Sequence, residues 1–369
     1  MKIKILHVIE EMHSGGVEQR KLLLAKYLSH LVFEQKIICS SANKHLKQLF
    51  EQANCEVFEI GNLRHPFDIS IHKKALKIIK DYKPDIIHGS IFEGMTIAAL
   101  DGWLYSVPVR IIEETSYPIT RSKKANLLLK FYAQISHHCI AISPSVKNYL
   151  IEKTGIPEKK IRMIYNGVKT PNKISELEKN TLKSKLGIPL DALVIGSVGR
   201  MENDVKGFDR ILYTFSLIQF TKTETKLLIV GGGKLLEEYK QLAKTLKIED
   251  QVIFTDFQSD SNKYYQIMDI YLSLPRSEGF GLSVVEAMSH SLPVVVSNTG
   301  GLKDIVQHGR NGFVISYNPM EIKQYVQKLL FDRDLRNELA QNARHNYLQN
   351  FTQEIYVKKI HEIYQELKK

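Results

Sequence analysis

Two glutamates eight positions apart, Glu278 and Glu286, frame the run Glu-Gly-Phe-Gly-Leu-Ser-Val-Val-Glu-Ala-Met. An ionised carboxylate only accepts hydrogen bonds, so a spaced pair suits a ligand rich in hydroxyls. Between them Gly279 and Gly281 let the backbone turn tightly and approach a bound group. The stretch 269–275 reads as a short buried strand and 284–290 as a helix, so the turn opens onto a helix N-terminus. Unpaired amides and the helix dipole there favour an anion. Glu278 then sits at the mouth of the site and Glu286 about one turn into the helix. Carboxylates flanking a phosphate cradle are the layout for a nucleoside-diphosphate sugar. The competing reading is an ordinary strand–turn–helix whose glutamates are solvated or cap the helix.

Other strand ends carry matching chemistry. Gly199-Arg-Met-Glu-Asn-Asp-Val-Lys-Gly207 follows a predicted strand at 193–198. Arg200 can fork onto phosphate oxygens, and Lys206 offers a compact charge on a flexible stem. Two such cations suit a site where charge grows on a leaving diphosphate. Gly15 and Gly16 precede a helix predicted over 18–28, so their amides can face a phosphate. The triple glycine 231–233 closes a strand predicted over 227–230, and His88 ends one predicted over 85–88, where it is expected to face a cleft. Asp332-Arg-Asp334 is the one D-x-D, and it reads as a helix cap. No His, Cys and carboxylate cluster has metal-ligand spacing, so neither metal nor cofactor is expected.

These turns need a scaffold that brings strand ends together. Strands alternate with helical patterns along the chain, with further strands at 3–9, 35–40, 57–60, 110–112, 139–143, 161–165, 252–255, 270–274 and 293–297. That alternation predicts parallel sheets covered on both faces, which bind ligands at the carboxyl ends of their strands. At 369 residues the chain accommodates two such domains. The polar stretch 169–187 is the expected linker, giving a first domain over 1–168 and a second over 169–351.

The stretch from Pro275 to Gly301 resembles the retaining glycosyltransferases of family 4, in which Glu278 and Glu286 form the E-x7-E motif. The resemblance implies the GT-B fold, two Rossmann-like domains facing each other across a cleft. It also implies a last helix, about 352–369, that returns to the first domain. Glu278 would hold hydroxyls of the donor sugar and Glu286 the ribose. Arg200, Lys206 and the amides at Gly16, Gly281, Leu282 and Ser283 would hold the diphosphate, with Gly15 beside them. The region of Gly232 and the loop 256–258 would hold the nucleoside through backbone contacts, so no side chain names the base. A UDP-linked sugar is the expected donor, transferred as a hexose or N-acetylhexosamine in surface polysaccharide synthesis. The family commonly has a histidine at His88, near sugar and acceptor. Its second usual histidine is absent here, and Glu114 or Thr115 holds that place.

Charge bears on the partner. Residues 1–170 carry 25 Lys and Arg against 16 Asp and Glu, a surplus of 9, whereas the remainder carries 26 against 24. The segment 121–134 joins Arg121, Lys123 and Lys124 to an apolar helix face. An anionic membrane surface under the first domain fits this pattern, as does a helix packed on its sheet with lysines in solvent. Nucleic acid is not expected, since no binding motif accompanies the charge. No apolar run reaches a bilayer-spanning length, and residues 1–10 have too short an apolar core for a signal peptide. With three scattered cysteines, read as buried free thiols, this predicts a cytoplasmic protein, peripheral to the membrane if the basic face is used. The acceptor expected is a glycan or a lipid-linked glycan. The rivals are a nucleotide-sugar epimerase or phosphorylase on the same fold and a non-catalytic sugar-nucleotide-binding partner.

Overall fold

Runs of three to seven residues rich in isoleucine and valine form the strands of the two main sheets, because β-branched side chains fit a pleated surface packed on both faces. The computed structural model describes residues 2–13, 15–28, 32–218 and 224–367. The chain divides into two units, Met1–Gly167 with Gln353–Lys369, and Val168–Thr352.

Among the described residues the main sheet of the first unit has seven strands: β1 (Ile3–Val8), β2 (Phe33–Cys39), β3 (Cys55–Glu59), β4 (Ile86–Ser90), β5 (Val109–Glu114), β6 (His138–Ala141) and β7 (Ile161–Met163). All pair in parallel in the order β3-β2-β1-β4-β5-β6-β7. Helices α1 (Gly16–Leu28), α2 (Ile91–Leu104) and α3 (Lys123–Ile135) are among those covering it. Ile91 opens α2 at φ 66°, a left-handed value that costs a β-branched residue conformational energy. Such strain persists only where the surroundings impose it, and here it falls at the exit of β4.

Among the described residues the second unit holds six strands: β8 (Leu193–Val198), β9 (Thr225–Val230), β10 (Val252–Phe254), β11 (Ile270–Ser273), β12 (Val294–Ser297) and β13 (Gly312–Ile315). They too are parallel, in the order β10-β9-β8-β11-β12-β13. Each sheet reverses its strand order beside its first strand, between β1 and β4 and between β8 and β11. These reversals open the crevices in which such sheets take ligands.

One expected linker is a helix. The stretch 169–187 contains α4 (Glu176–Lys185), in the second unit. The Ser175 side chain accepts from the Glu178 amide, and Glu178 reaches back to the Ser175 amide. This capping box, with glutamates in the first turn and lysines in the last, stabilises a helix that buries no side chain. Asp332 caps its own helix, Arg333–Asn350, accepting from the Leu335 amide at 2.9 Å.

The C-terminal helix (Gln353–Glu366) packs into the first unit, as the family resemblance implies; residues 368 and 369 of the expected span lie outside the described residues. Tyr356, Ile360 and Tyr364 join Ile5, Leu24, Phe33 and Ile111 in one apolar cluster. Each large side chain so buried contributes about 1.5–3 kcal/mol. All three cysteines are buried and free, and burial pushes the Cys39 thiol up to about 12. Among the described residues no helix is long and apolar enough to cross a membrane.

Candidate active site

In the second unit the turns after successive strands are hydrogen-bonded to one another. The Gly199 amide donates to the Val230 carbonyl at 3.0 Å, and the Met201 amide donates to the Gly232 carbonyl at 2.8 Å. Gly231 lies at φ 137°, and a Cβ there would fall 1.9 Å from the Gly199 carbonyl oxygen, so the two turns pack only through glycine. The Gly301 amide likewise donates to the Glu278 carbonyl at 2.9 Å. That bond fixes the backbone of Glu278 at the end of β11. Gly281, at φ 105°, precedes α5 (Leu282–Ser289), whose first residues Leu282 and Ser283 are half-buried.

Lys206 and Glu278, 72 positions apart, form an ion pair with Nζ 2.7 Å from Oε2. Two residues that no local pattern singles out help to build this pair. The Arg276 guanidinium spans the Asp209 carboxylate at 2.7 and 2.9 Å, and the Arg276 amide donates to the Val205 carbonyl at 2.8 Å. The turn after β11 is thereby tied to the turn carrying Lys206. Arg200 is exposed and pairs with no described residue. One cation is thus held by a carboxylate and a second projects to solvent.

Glu286 accepts from the Tyr265 hydroxyl at 2.7 Å. Burial raises its pKa, with the Tyr265 bond and then Lys206 opposing that shift. Tyr265 is itself buried and stacked 5.2 Å from the His290 ring. The same hydroxyl lies 3.2 Å from the Ser283 carbonyl oxygen, so Tyr265 packs against both the carboxylate and the first turn of α5. Glu278, Glu286, Lys206 and the amide-rich start of α5 therefore share one edge. Nothing in the sequence near Tyr265 points to its part.

In the first unit, Gly15 and Gly16 are placed at the start of α1 as expected, with an occupant already present. Glu18, buried, accepts from the Gly15 amide at 2.9 Å and from the His13 amide at 3.3 Å.

His88 does not face outward. It is fully buried in β4, in register with His7 on β1 and Ile111 on β5. Its Nδ1 lies 2.7 Å from the Tyr364 hydroxyl of the C-terminal helix, and its Nε2 lies 3.2 Å from Lys21 Nζ. Lys21 in turn pairs with Glu113 at 3.0 Å, and the Ser90 hydroxyl donates to the same carboxylate oxygen at 2.5 Å. Burial, then the Lys21 charge, lowers the His88 pKa to about 4. A neutral imidazole with both nitrogens engaged is a structural linchpin between sheet and terminal helix. Tyr364→Phe leaves one of those nitrogens unpaired and is expected to destabilise the protein by about 1–3 kcal/mol, read from urea unfolding. An unchanged midpoint would contradict this assignment.

The place of the second histidine is also committed within the unit. Glu114 is buried and takes the Arg121 guanidinium and the Ser116 hydroxyl, the latter at 2.7 Å; Thr115 is half-buried. Arg121 lies over the Phe92 ring, 5.3 Å from its centroid, so it is not part of an outward basic face. Lys123 and Lys124 are exposed. Among the described residues no group of three His, Cys, Asp or Glu is arranged to hold a metal ion.

A family model described as glycosyl transferases group 1 matches residues 178–346, and one described as glycosyltransferase family 4 matches residues 14–171. An uncharacterized glycosyltransferase of Haemophilus influenzae is 31% identical over 317 residues, covering 84% of each chain. The Escherichia coli UDP-Gal:alpha-D-GlcNAc-diphosphoundecaprenol alpha-1,3-galactosyltransferase is 25% identical, over 98% of this chain and 97% of that one. The crystal structure of Anabaena Alr3699/HepE in complex with UDP-glucose has the same fold, with a TM-score of 0.86 at 21% identity over 99% of this chain and 100% of that chain. The chain belongs to glycosyltransferase family 4 and has the GT-B fold.

Proposed function

We propose that this glycosyltransferase moves a hexose or N-acetylhexosamine from a UDP-linked donor to a glycan or lipid-linked glycan, with retention of configuration, in surface polysaccharide synthesis. The observation that carries the reading is the Lys206–Glu278 pair beside Glu286 and the amides opening α5, all at the carboxyl edge of the second sheet. A diphosphate arriving there meets Arg200, Lys206 and the helix N-terminus, while Glu278 and Glu286 accept from sugar and ribose hydroxyls. The names of the Escherichia coli and Anabaena proteins support a UDP-linked donor, and the former supports a lipid diphosphate acceptor.

In this reaction the bond from the anomeric carbon to the diphosphate oxygen breaks, and the acceptor hydroxyl oxygen bonds to that carbon on the same face. The hydroxyl proton passes to the departing phosphate oxygen, so no side-chain nucleophile is required. Arg200 and Lys206 stabilise the negative charge that develops on the leaving group. With those two charges in place the transfer needs no metal. The test is product analysis of enzyme treated exhaustively with EDTA, supplied with UDP-sugars, with and without a lipid-linked oligosaccharide extract. Acceptor-dependent release of UDP and transfer of the sugar are expected. Loss of activity restored by Mg²⁺ or Mn²⁺ would overturn the metal-free part, and a rearranged sugar without acceptor would point to an epimerase.

The acceptor side includes an anionic membrane. Lys123, Leu127 and Phe131 fall at successive four-residue intervals on α3, and Leu127 and Phe131 are 69% and 41% exposed. An exposed apolar ridge headed by Lys123 and Lys124 suits shallow insertion at a charged surface. Co-sedimentation with phosphatidylglycerol-containing liposomes is expected at low salt, weakening as salt screens the contact. Lys123→Glu with Lys124→Glu is expected to abolish it. Wild-type protein that stays in the supernatant at low salt would indicate a soluble acceptor.

A further inference from the structure

Tyr265 lies just before β11 in the second unit and is 1% exposed. Its ring is stacked on His290 with the planes 14° apart, and it is tilted against Tyr271 with centroids 5.7 Å apart. Tyr271 is itself anchored, its hydroxyl accepting from the Val198 amide at 3.3 Å, immediately before the Gly199–Arg200 turn. These contacts hold the Tyr265 ring whatever its hydroxyl does, and a phenylalanine would make them equally well.

The hydroxyl is thus free of any packing duty. A buried phenol needs a polar partner, and this one has a carboxylate oxygen, Glu286 Oε2, at 2.7 Å. Burial and then the Glu286 charge hold the Tyr265 hydroxyl well above the usual phenol range, so it stays a donor at neutral pH. A bond given to a carboxylate is stronger than one given to a neutral acid, so the donor favours the charged form. Lys206 acts on Glu286 in the same sense, and Tyr271 is the third titratable group in its field. Burial works against both, because it disfavours the charge. Glu286 nevertheless remains half-buried, so its other oxygen can meet a ligand while Oε2 is held.

We propose that Tyr265 is a positioning residue for nucleotide binding: its hydroxyl keeps Glu286 ionised and pins one oxygen, leaving the other to the ribose. The inference rests on the reading that Glu286 meets the ribose of a nucleotide sugar, and it adds the group that readies that carboxylate.

Tyr265→Phe, which keeps the ring and removes only the hydroxyl, tests it in two measurements on the full-length protein. Carboxyl-carbon NMR follows the ionisation of Glu286 without any ligand, its signal assigned by difference against Glu286→Gln. The midpoint is expected about one pH unit higher in Tyr265→Phe than in the wild type, a tenfold bias between the two protonation states. Calorimetric titration with UDP-glucose, whose diphosphate has no group titrating near neutrality, follows the consequence. Above both midpoints Glu286 is charged in either protein, and the affinities should agree within about threefold. As pH falls, Tyr265→Phe should lose affinity first and become about tenfold weaker than the wild type. Added to Glu286→Gln, the same substitution should alter neither the affinity nor its pH dependence. A purely structural role would instead weaken binding equally at every pH and equally in the Glu286→Gln background. Circular dichroism checks that the variants are folded. An unshifted Glu286 midpoint, or a loss of affinity that is the same at every pH, overturns the positioning assignment alone. If the midpoint shifts but neither UDP-glucose nor any other nucleotide sugar binds the wild type, the donor reading fails instead.

Discussion

Arg200→Ala and Lys206→Ala are each expected to lower turnover roughly 100-fold or more, the scale of removing one electrostatic contact to a transition state. The two should differ in character. Arg200 is exposed and unpaired among the described residues, so its removal is expected to leave stability within about 0.5 kcal/mol of wild type. Lys206 neutralises Glu278 at 2.7 Å, so Lys206→Ala also leaves a bare carboxylate facing an incoming diphosphate. Lys206→Ala should therefore be the more damaging, and Glu278→Gln added to it should recover part of the donor affinity. Steady-state rates with thermal unfolding of each variant provide the check. Near-normal turnover in both single variants would remove these residues from the diphosphate site.

Glu286→Gln is expected to weaken binding of free UDP by about 1.5–3 kcal/mol, roughly 10- to 150-fold, as the charge on a ribose acceptor is lost. The Tyr265 hydroxyl, 2.7 Å from Glu286, can still donate to the glutamine oxygen, so the fold should hold. Glu278→Gln should instead raise the KM for the nucleotide sugar while leaving UDP affinity nearly unchanged. Calorimetric titration with UDP separates the two. Equal UDP affinity in wild type and the Glu286 variant would contradict the ribose assignment.

Much of the proposed donor site is local and is legible for that reason. A short apolar run followed by glycine and then a helical pattern announces a strand–turn–helix, and the functional groups lie inside those turns. The Lys206–Glu278 pair is not legible, because it depends on β8 and β11 being neighbours in the sheet. Arg276 with Asp209, and Tyr265 with Glu286, are long-range contacts of the same kind. His88 departs from expectation because a strand buried on both faces shows no alternation, so nothing local says which way its side chains point. Its partner Tyr364 is 276 positions away. Arg121 departs for a simpler reason: a basic cluster looks solvated until its carboxylate, Glu114, is seen beside it. Helix α4 is the one departure that the sequence itself could have prevented. It has no buried face to give a period, yet Ser175 and Glu178 form a capping box visible in the sequence.

A thermal-shift series with UDP, UDP-glucose, UDP-galactose and UDP-N-acetylglucosamine, run on wild type and Glu286→Gln, is the most direct test that this edge of the second unit is a nucleotide-sugar site. A ligand that binds only the native state stabilises it by mass action, about 2.7 kcal/mol at a hundred times its Kd. UDP and at least one of the sugars should raise the melting temperature of the wild type by several degrees, and the shift should shrink in the variant. No shift with any of the four ligands, or equal shifts in both proteins, would contradict the assignment.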